Sequence, residues 1–310
     1  MATYTSLDDI DIRAFARDYG LSDPRLEPLA GGAANSSFLV RSELGQHVLT
    51  VLDNHDMSSA VVVARLMRAL VERGVPTTEV VPDARGRLVS VVGGKPAVLK
   101  RWIDGTVLDP LPDRLLPEAG KVLATLHEVP TGLPGLPSGT RRLSADQRHR
   151  IGDFADRDFS LWLTGRLARV RAEDVHRVPV VAHGDLFADN VIVRPDASLA
   201  VIDWETASLD DPLLDLGMAV VGLARTGDRL PAGRAEALIA GYTSVRPLTA
   251  DELAAVPTAI EHAALIIAFH RYYRHNVRFP NPDRADSHQE IVRFVHELAD
   301  FRPVPVGTGA

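Results

Sequence analysis

The stretch HGDLFADN at residues 183–190 and the stretch AVIDWETA at 200–207 decide how this chain is read. The first sets Asp185 and Asn190 five residues apart, directly before the apolar run VIV. The second sets Asp203 thirteen residues after Asn190. Between them, VIVRPDASLAVID reads as two short strands around a turn at Pro195 and Asp196. A hairpin of that length folds residue 203 back beside residue 190. Singly, an Asp or Asn in a turn is most often a cap or a turn former. Jointly, the spacing suits a phosphoryl-transfer site, which asks for a group to orient a hydroxyl, a divalent metal and accurate positioning. Asp185 then takes the hydroxyl proton, and Asn190 and Asp203 supply the oxygen ligands that Mg²⁺ prefers. His183 is expected to act beside Asp185, holding the loop by hydrogen bonds. A zinc hydrolase built on His-x-Asp is the rival reading, and the scatter of the other histidines speaks against it. Glu205 reads either as an outer metal ligand or as a solvated strand end.

The bulk properties narrow the field. A chain of 310 residues holds one large domain or two lobes. Hydrophobic residues at 45% and charged ones at 24% are ordinary for a globular protein. A net charge of −7 argues against a nucleic-acid surface, which wants clustered Lys and Arg. Cysteine is absent, which excludes disulfides, thiolate catalysis and Cys-ligated zinc. No apolar run approaches the roughly 18 residues a membrane span needs, so no membrane partner is expected. The acidic N-terminus MATYTSLDDIDIRAF does not read as a signal peptide, so a cytoplasmic location is expected.

Periodicity and breakers predict a helix over 7–19 capped by Asp8, and strands at 25–30, 36–41 and 47–52. A helix follows over 57–73, then strands at 79–82, 87–92 and 96–103. Asp104-Gly105 marks a hinge at about 100–106. It divides a β-rich N-terminal lobe, 1–103, from a mainly helical C-terminal lobe, 104–310. In the second lobe, helices are expected over 113–128, 144–174, 212–225, 231–243, 249–277 and 285–301, with a small β insert at 179–203 and a tail at 302–310.

HGDLFADNVIV, followed by VIDWETASLDDPLLDLGMAV, resembles the aminoglycoside phosphotransferase and choline kinase group. Within it the chain looks most like type II homoserine kinases. GGAANSSFLVRSELGQHVLTVLD resembles that family's nucleotide-covering hairpin, GGKPAVLKRWIDG its hinge strand, and GKVLATLHEV the helix that follows. The resemblance spans roughly 25–225 and implies an α+β, protein-kinase-like fold of two lobes. It implies ATP and Mg²⁺, with a small-molecule hydroxyl acceptor. It matches Asp185 to the catalytic base, Asn190 and Asp203 to the metal ligands, and Asp211 and Asp215 to acids that brace the loop. GGAANS lacks the GK[ST] ending of a phosphate-binding Walker loop. Its Gly31 and Gly32, with Asn35 and Ser36, are expected to bring backbone N–H groups near phosphate. Lys100, Arg101, Trp102 and Ile103 are expected to carry the adenine.

One departure stands out. Thr50 of HVLTVLD occupies the place of the usual third-strand Lys, and no Glu precedes Glu72 in the next helix. Losing both together is coherent, because an unpaired buried charge is costly. Thr50 favours the homoserine-kinase-like subgroup and leaves Arg65, Lys95 and Lys100 as candidates to neutralise phosphate. For the acceptor, His270, Arg271 and Arg274 offer positive or polar groups to a carboxylate, while Asp189 and Glu205 could meet an amine. The expected activity is phosphorylation of homoserine or a related amino alcohol. The alternatives are an antibiotic O-phosphotransferase and a catalytically inactive nucleotide-binding protein.

Overall fold

A computed structural model describes residues 5–29, 35–173, 176–298 and 301. Gly31, Gly32 and the tail 302–310 lie outside the described residues. The first region is an antiparallel sheet with two helices. It comprises α1 (Ile12–Tyr19), β1 (Arg25–Pro28), β2 (Ser36–Ser42), β3 (Gly45–Val51), α2 (Met57–Glu72), β4 (Val80–Val81), β5 (Ser90–Val92) and β6 (Lys95–Arg101). The spatial order is β1-β2-β3-β6-β4, with β5 also paired to β6. Side chains alternate across the pleat. Phe38, Val40, Leu49, Val51, Ala97 and Leu99 therefore share one face, buried against Phe15 and Tyr19 of α1. The register pairs Ser37 with Thr50, Leu39 with Val48, Thr50 with Val98 and Val48 with Lys100, so these residues line the opposite face.

The single helix expected over 7–19 is two pieces. A 3₁₀ turn at Leu7–Asp9 is closed by a capping box from Ser6, and α1 starts afresh with Asp11, not Asp8, accepting from Ala14 N at 3.0 Å.

The second region is mainly helical: β7 (Thr106–Val107), α3 (Leu116–His127), α4 (Ala145–Ile151), α5 (Arg157–Ala172), β8 (Val180–Ala182), β9 (Val191–Val193), β10 (Leu199–Val201), β11 (Ser208–Asp210), α6 (Pro212–Ala219), α7 (Arg234–Thr243), α8 (Ala250–Tyr272) and α9 (Ser287–Glu297). The hairpin read from the sequence forms as β9 and β10, with β7 on its far edge, and β11 pairs with β8. The helix expected over 144–174 is broken. Phe154 turns inward onto Phe159, Phe269 and Tyr272, and Asp156 restarts the chain as α5 by accepting from Phe159 N at 2.9 Å. Burial of that ring outweighs helical continuity.

Helix α8 with its extension, Ala250–Arg278, is long and apolar enough to cross a membrane by length and composition. More than half of its apolar window is buried inside the fold, which accounts for the composition. Glycines set the closest helix contact: a Cβ on Gly120 of α3 would meet Tyr242 N of α7 at 2.7 Å. The two regions are joined where Val201 N donates to Pro76 O at 2.8 Å and Trp204 Nε1 to Thr77 Oγ1 at 2.8 Å.

Candidate active site

The loop after β8 is built around one buried carboxylate. Asp215, in the first turn of α6, is 2% exposed and accepts from His183 N at 2.8 Å and Gly184 N at 2.7 Å. It also faces His127 Nε2 at 3.0 Å, and His127 Nδ1 lies 2.7 Å from the Tyr242 hydroxyl. The network assigns the His127 proton to Nε2, because its neighbour there is a carboxylate. Burial pushes the Asp215 carboxyl up, but the bonds from His127 and Gly184 hold it below the ordinary carboxylate value. Asp211 caps α6 by accepting from Leu213 N at 2.8 Å and pairs with Arg177 at 2.9 Å. The first-turn acids of α6 thus brace the loop and begin the helix.

His183 is fully buried and packs against Trp204, the rings tilted by 56° with centroids 4.7 Å apart. Its Nδ1 accepts from Asp185 N at 3.2 Å, so Nε2 donates to Ile202 O at 3.1 Å. The Nδ1 bond tightens the loop itself, and the Nε2 bond links it to the segment leading into Asp203. That is the placement of a positioning group rather than one that touches substrate. Gly184 has φ +77, and a Cβ there would meet the Arg141 Cγ at 2.7 Å.

Asp185 follows, half-buried, at the mouth of this loop. Asn190 Nδ2 donates to Asp185 O at 2.9 Å, and Ile202 N donates to Asn190 O at 3.0 Å. Asp185, Asn190 and Asp203 are therefore brought to one place by the β9–β10 hairpin. Asp203 has φ +67, a left-handed conformation that an Asp tolerates better than most residues and that recurs at functional sites. Crowding by protein and the neighbouring Glu205 raise its carboxyl above the ordinary range, while Lys100 pulls it back. Burial likewise raises Asp185, against the opposing pull of Arg141.

The donor set suits a hard divalent cation. The Asn190 amide nitrogen is committed to a carbonyl, which leaves its oxygen as the ligand atom, and Asp203 adds a carboxylate that forms no salt bridge among the described residues. Among the described residues no three His, Asp or Glu side chains form a metal cage by themselves. Two oxygen donors with remaining positions for phosphate and water is the habit of Mg²⁺.

Around this centre the expected nucleotide residues separate. Thr50 is buried 3.3 Å from Ser37 Oγ on the sheet face opposite α1, which faces the charges of Asp203 and Glu205 through Lys100 and is called the cleft face below. Lys100 lies on the same face, where burial lowers its pKa and the charges of Asp203 and Glu205 raise it. Lys95 is instead 2.5 Å from the buried carboxylate of Asp53, and Arg65 is exposed on α2. Ser36 points the other way from expectation: its hydroxyl donates to Asp53 at 2.7 Å and accepts from Thr5 N at 2.9 Å. The pleat puts Ser37, not Ser36, on the cleft face. Asn35 is buried, and neither end of its amide has a partner among the described residues. Arg101 turns outward to Glu79 at 2.6 Å, its N–H and C=O taken by Glu79 and Thr78. Trp102 N donates to Gln46 O at 3.1 Å, so the backbone expected to meet adenine narrows to Ile103 and its neighbours.

The acceptor residues separate too. Arg271 is bound to Glu290 at 2.5 Å and to Ser287 O at 3.1 Å, away from Asp185, because α9 packs along that face of α8. Arg274 and Asp189 are exposed. Glu205 lies 3.7 Å from His55 Nε2. His270 does approach the site: burial, and then the charge of Arg141, drive its pKa down to about 4. Arg141, Nη2 at 2.7 Å from Asp185 Oδ1, was missed by sequence reasoning. It sits in TRRL after a Pro/Gly loop, where no periodicity or spacing marks it.

A sequence profile of the phosphotransferase enzyme family matches residues 25–248. The chain belongs to that family. The phosphotransferase is 31% identical over 273 residues to a homoserine kinase of Methylobacillus flagellatus, covering 86% of this chain and 85% of that protein. It is 32% identical over 282 residues to a homoserine kinase of Phenylobacterium zucineum, covering 86% and 85%. A microcompartment-associated aminopropanol kinase superposes with a TM-score of 0.72 at 21% identity, over 92% of this chain and 94% of that one. A spectinomycin phosphotransferase solved with ADP and spectinomycin gives 0.69 at 15% identity, over 94% of each chain. These likenesses establish the protein-kinase-like fold expected from the sequence. The phosphotransferase is a small-molecule kinase that transfers phosphate to a hydroxyl.

Proposed function

We propose that this phosphotransferase moves the γ-phosphate of ATP to the hydroxyl of homoserine, with Mg²⁺ as the cation. The supporting observation is the convergence of Asp185, Asn190 and Asp203 in a chain about 31% identical to homoserine kinases over most of its length. Asp185 receives the hydroxyl proton as that oxygen bonds to the γ-phosphorus, and the bond from phosphorus to the ADP oxygen breaks. Asn190 and Asp203 hold the cation, which when bound neutralises phosphate charge. Lys100 adds a second positive charge from the sheet, in the role left open by Thr50. His183 and Asp215 hold the loop so that Asp185 needs no reorganisation during transfer.

ADP release measured against a panel of homoserine, 3-aminopropan-1-ol, spectinomycin and an aminoglycoside tests the assignment. Homoserine is expected to show the highest kcat/KM. Turnover of an antibiotic in preference to it refutes the acceptor, and ATP binding with no turnover of any acceptor refutes the transfer reading.

A further inference from the structure

We propose that Arg141 binds a carboxylate on the acceptor and so places the acceptor hydroxyl at Asp185. The inference rests on the transfer reading above and adds the chemical class of acceptor to it.

Arg141 is presented by a built loop. Gly139 N donates to Leu209 O at 3.0 Å, Thr140 N to Ser208 Oγ at 3.3 Å, and Arg142 Nε to Asp210 at 2.7 Å. The loop is thereby fastened along β11, and the Arg141 stem lies across Gly184, the residue before the base. One guanidinium arm reaches Asp185, while the Nε–H is buried and has no partner among the described residues. An unpaired buried N–H of a charged group is costly, and a planar fork accepts a carboxylate through two parallel bonds. Burial, and then the charge of Arg141, push the His270 pKa down to about 4, so its imidazole is neutral at pH 7. It can donate or accept without repelling a neighbour of either sign.

An acceptor whose own carboxylate engages Arg141 brings its hydroxyl to Asp185, because the two groups lie 2.7 Å apart. Homoserine has three carbons between its carboxyl carbon and its hydroxyl oxygen, so one small molecule can touch both groups. An acceptor carrying only ammonium groups meets the guanidinium with like charge.

The test compares acceptors in matched pairs that differ only by the carboxylate: homoserine with 3-aminopropan-1-ol, serine with ethanolamine, threonine with 1-aminopropan-2-ol. Wild-type enzyme is expected to favour the carboxylate-bearing member of the pair it uses. In Arg141→Ala the ratio of kcat/KM between the two members is expected to fall about 100-fold, mainly through KM for the amino acid. Arg141→Lys, which keeps charge but loses the fork, is expected to fall between. Thermal unfolding and nucleotide affinity of both variants establish that they are folded. A wild type that prefers the decarboxylated member, an unchanged ratio in folded Arg141→Ala, or a loss expressed as a raised KM for ATP overturns the assignment. Wild type that turns over serine or threonine but not homoserine refutes only the homoserine reading, so the two failures are distinguishable.

Discussion

Asp215→Asn removes one charge and one acceptor from the centre of the loop brace. In the structure one carboxylate oxygen accepts from both His183 N and His127 Nε2, and the other accepts from Gly184 N. Asparagine has a single acceptor oxygen, so in either orientation its NH₂ faces at least one buried N–H. That orphaned donor costs about 1–3 kcal/mol, and the surviving bonds lose their charge assistance at about 1 kcal/mol each. The expected destabilisation is about 3–4 kcal/mol, a fall in Tm of about 5 °C for a chain of this size. Gly184 precedes the base, so the slackened loop also misplaces Asp185, and kcat is expected to drop about 10- to 100-fold with a smaller effect on KM for ATP. The pH dependence supplies a sign check. The Asp215 pKa is depressed in the folded state, so its stabilisation is present above the unfolded value near 4 and is lost as pH falls through the folded value. The Tm gap between variant and wild type should therefore be full at pH 7 and should narrow only below about pH 4. Thermal unfolding across pH and an ADP-release assay read these quantities. A variant within 2 °C in Tm and twofold in kcat, both rough thresholds set by ordinary surface substitutions, would falsify the bracing role.

Asp185→Ala should lower kcat by about 10³-fold while isothermal titration still detects nucleotide; lost nucleotide affinity would contradict its assignment as base. Lys100→Met is expected to raise KM for ATP about tenfold, whereas Lys95→Met should chiefly lower Tm through loss of the Asp53 pair; the reverse pattern defeats the cleft assignment. His270 has a folded pKa near 4 against 6.5 unfolded, so the unfolded state binds more protons and stability falls as pH drops through that window, by about 3 kcal/mol in full. His270→Phe should accordingly resist acid better than wild type in a denaturation series from pH 7 to 4, a window that follows from these values. Gly120→Ala should destabilise by about 3 kcal/mol or more, because its Cβ meets backbone of α7, and an unchanged denaturant midpoint would show that the α3–α7 contact yields easily.

The alternation in SSFLVRS and HVLTVLD, the turn at Pro195-Asp196 and the apolar pattern of the later segments are local, and they carry the two-lobed plan, because pleat and helix period are set by neighbours along the chain. The same local logic names Asp185, Asn190 and Asp203, since a hairpin of known length returns the chain to its start. It fails where distant packing wins. Phe154 breaks a helix to reach an aromatic cluster from α5 and α8, and Leu7–Asp9 splits from α1 at a cap that only backbone geometry reveals. The third-strand lysine is a further case. Sequence offered Arg65, Lys95 and Lys100 alike, and it was the register of β6 against β3 that set Lys100 on the cleft face and the Asp53 pair that took Lys95 away.

Chain order alone thus determined the family and the fold class and singled out the residues proposed for phosphoryl transfer, because the motifs that carry them depend on spacings of at most a few dozen residues. Tertiary structure alone decided which charges meet across long separations. Arg141 reached Asp185, Arg271 was claimed by Glu290, and His127 came to lie under Asp215. Pairing of that kind follows from how helices and loops pack against one another, and no periodicity along the polymer encodes it.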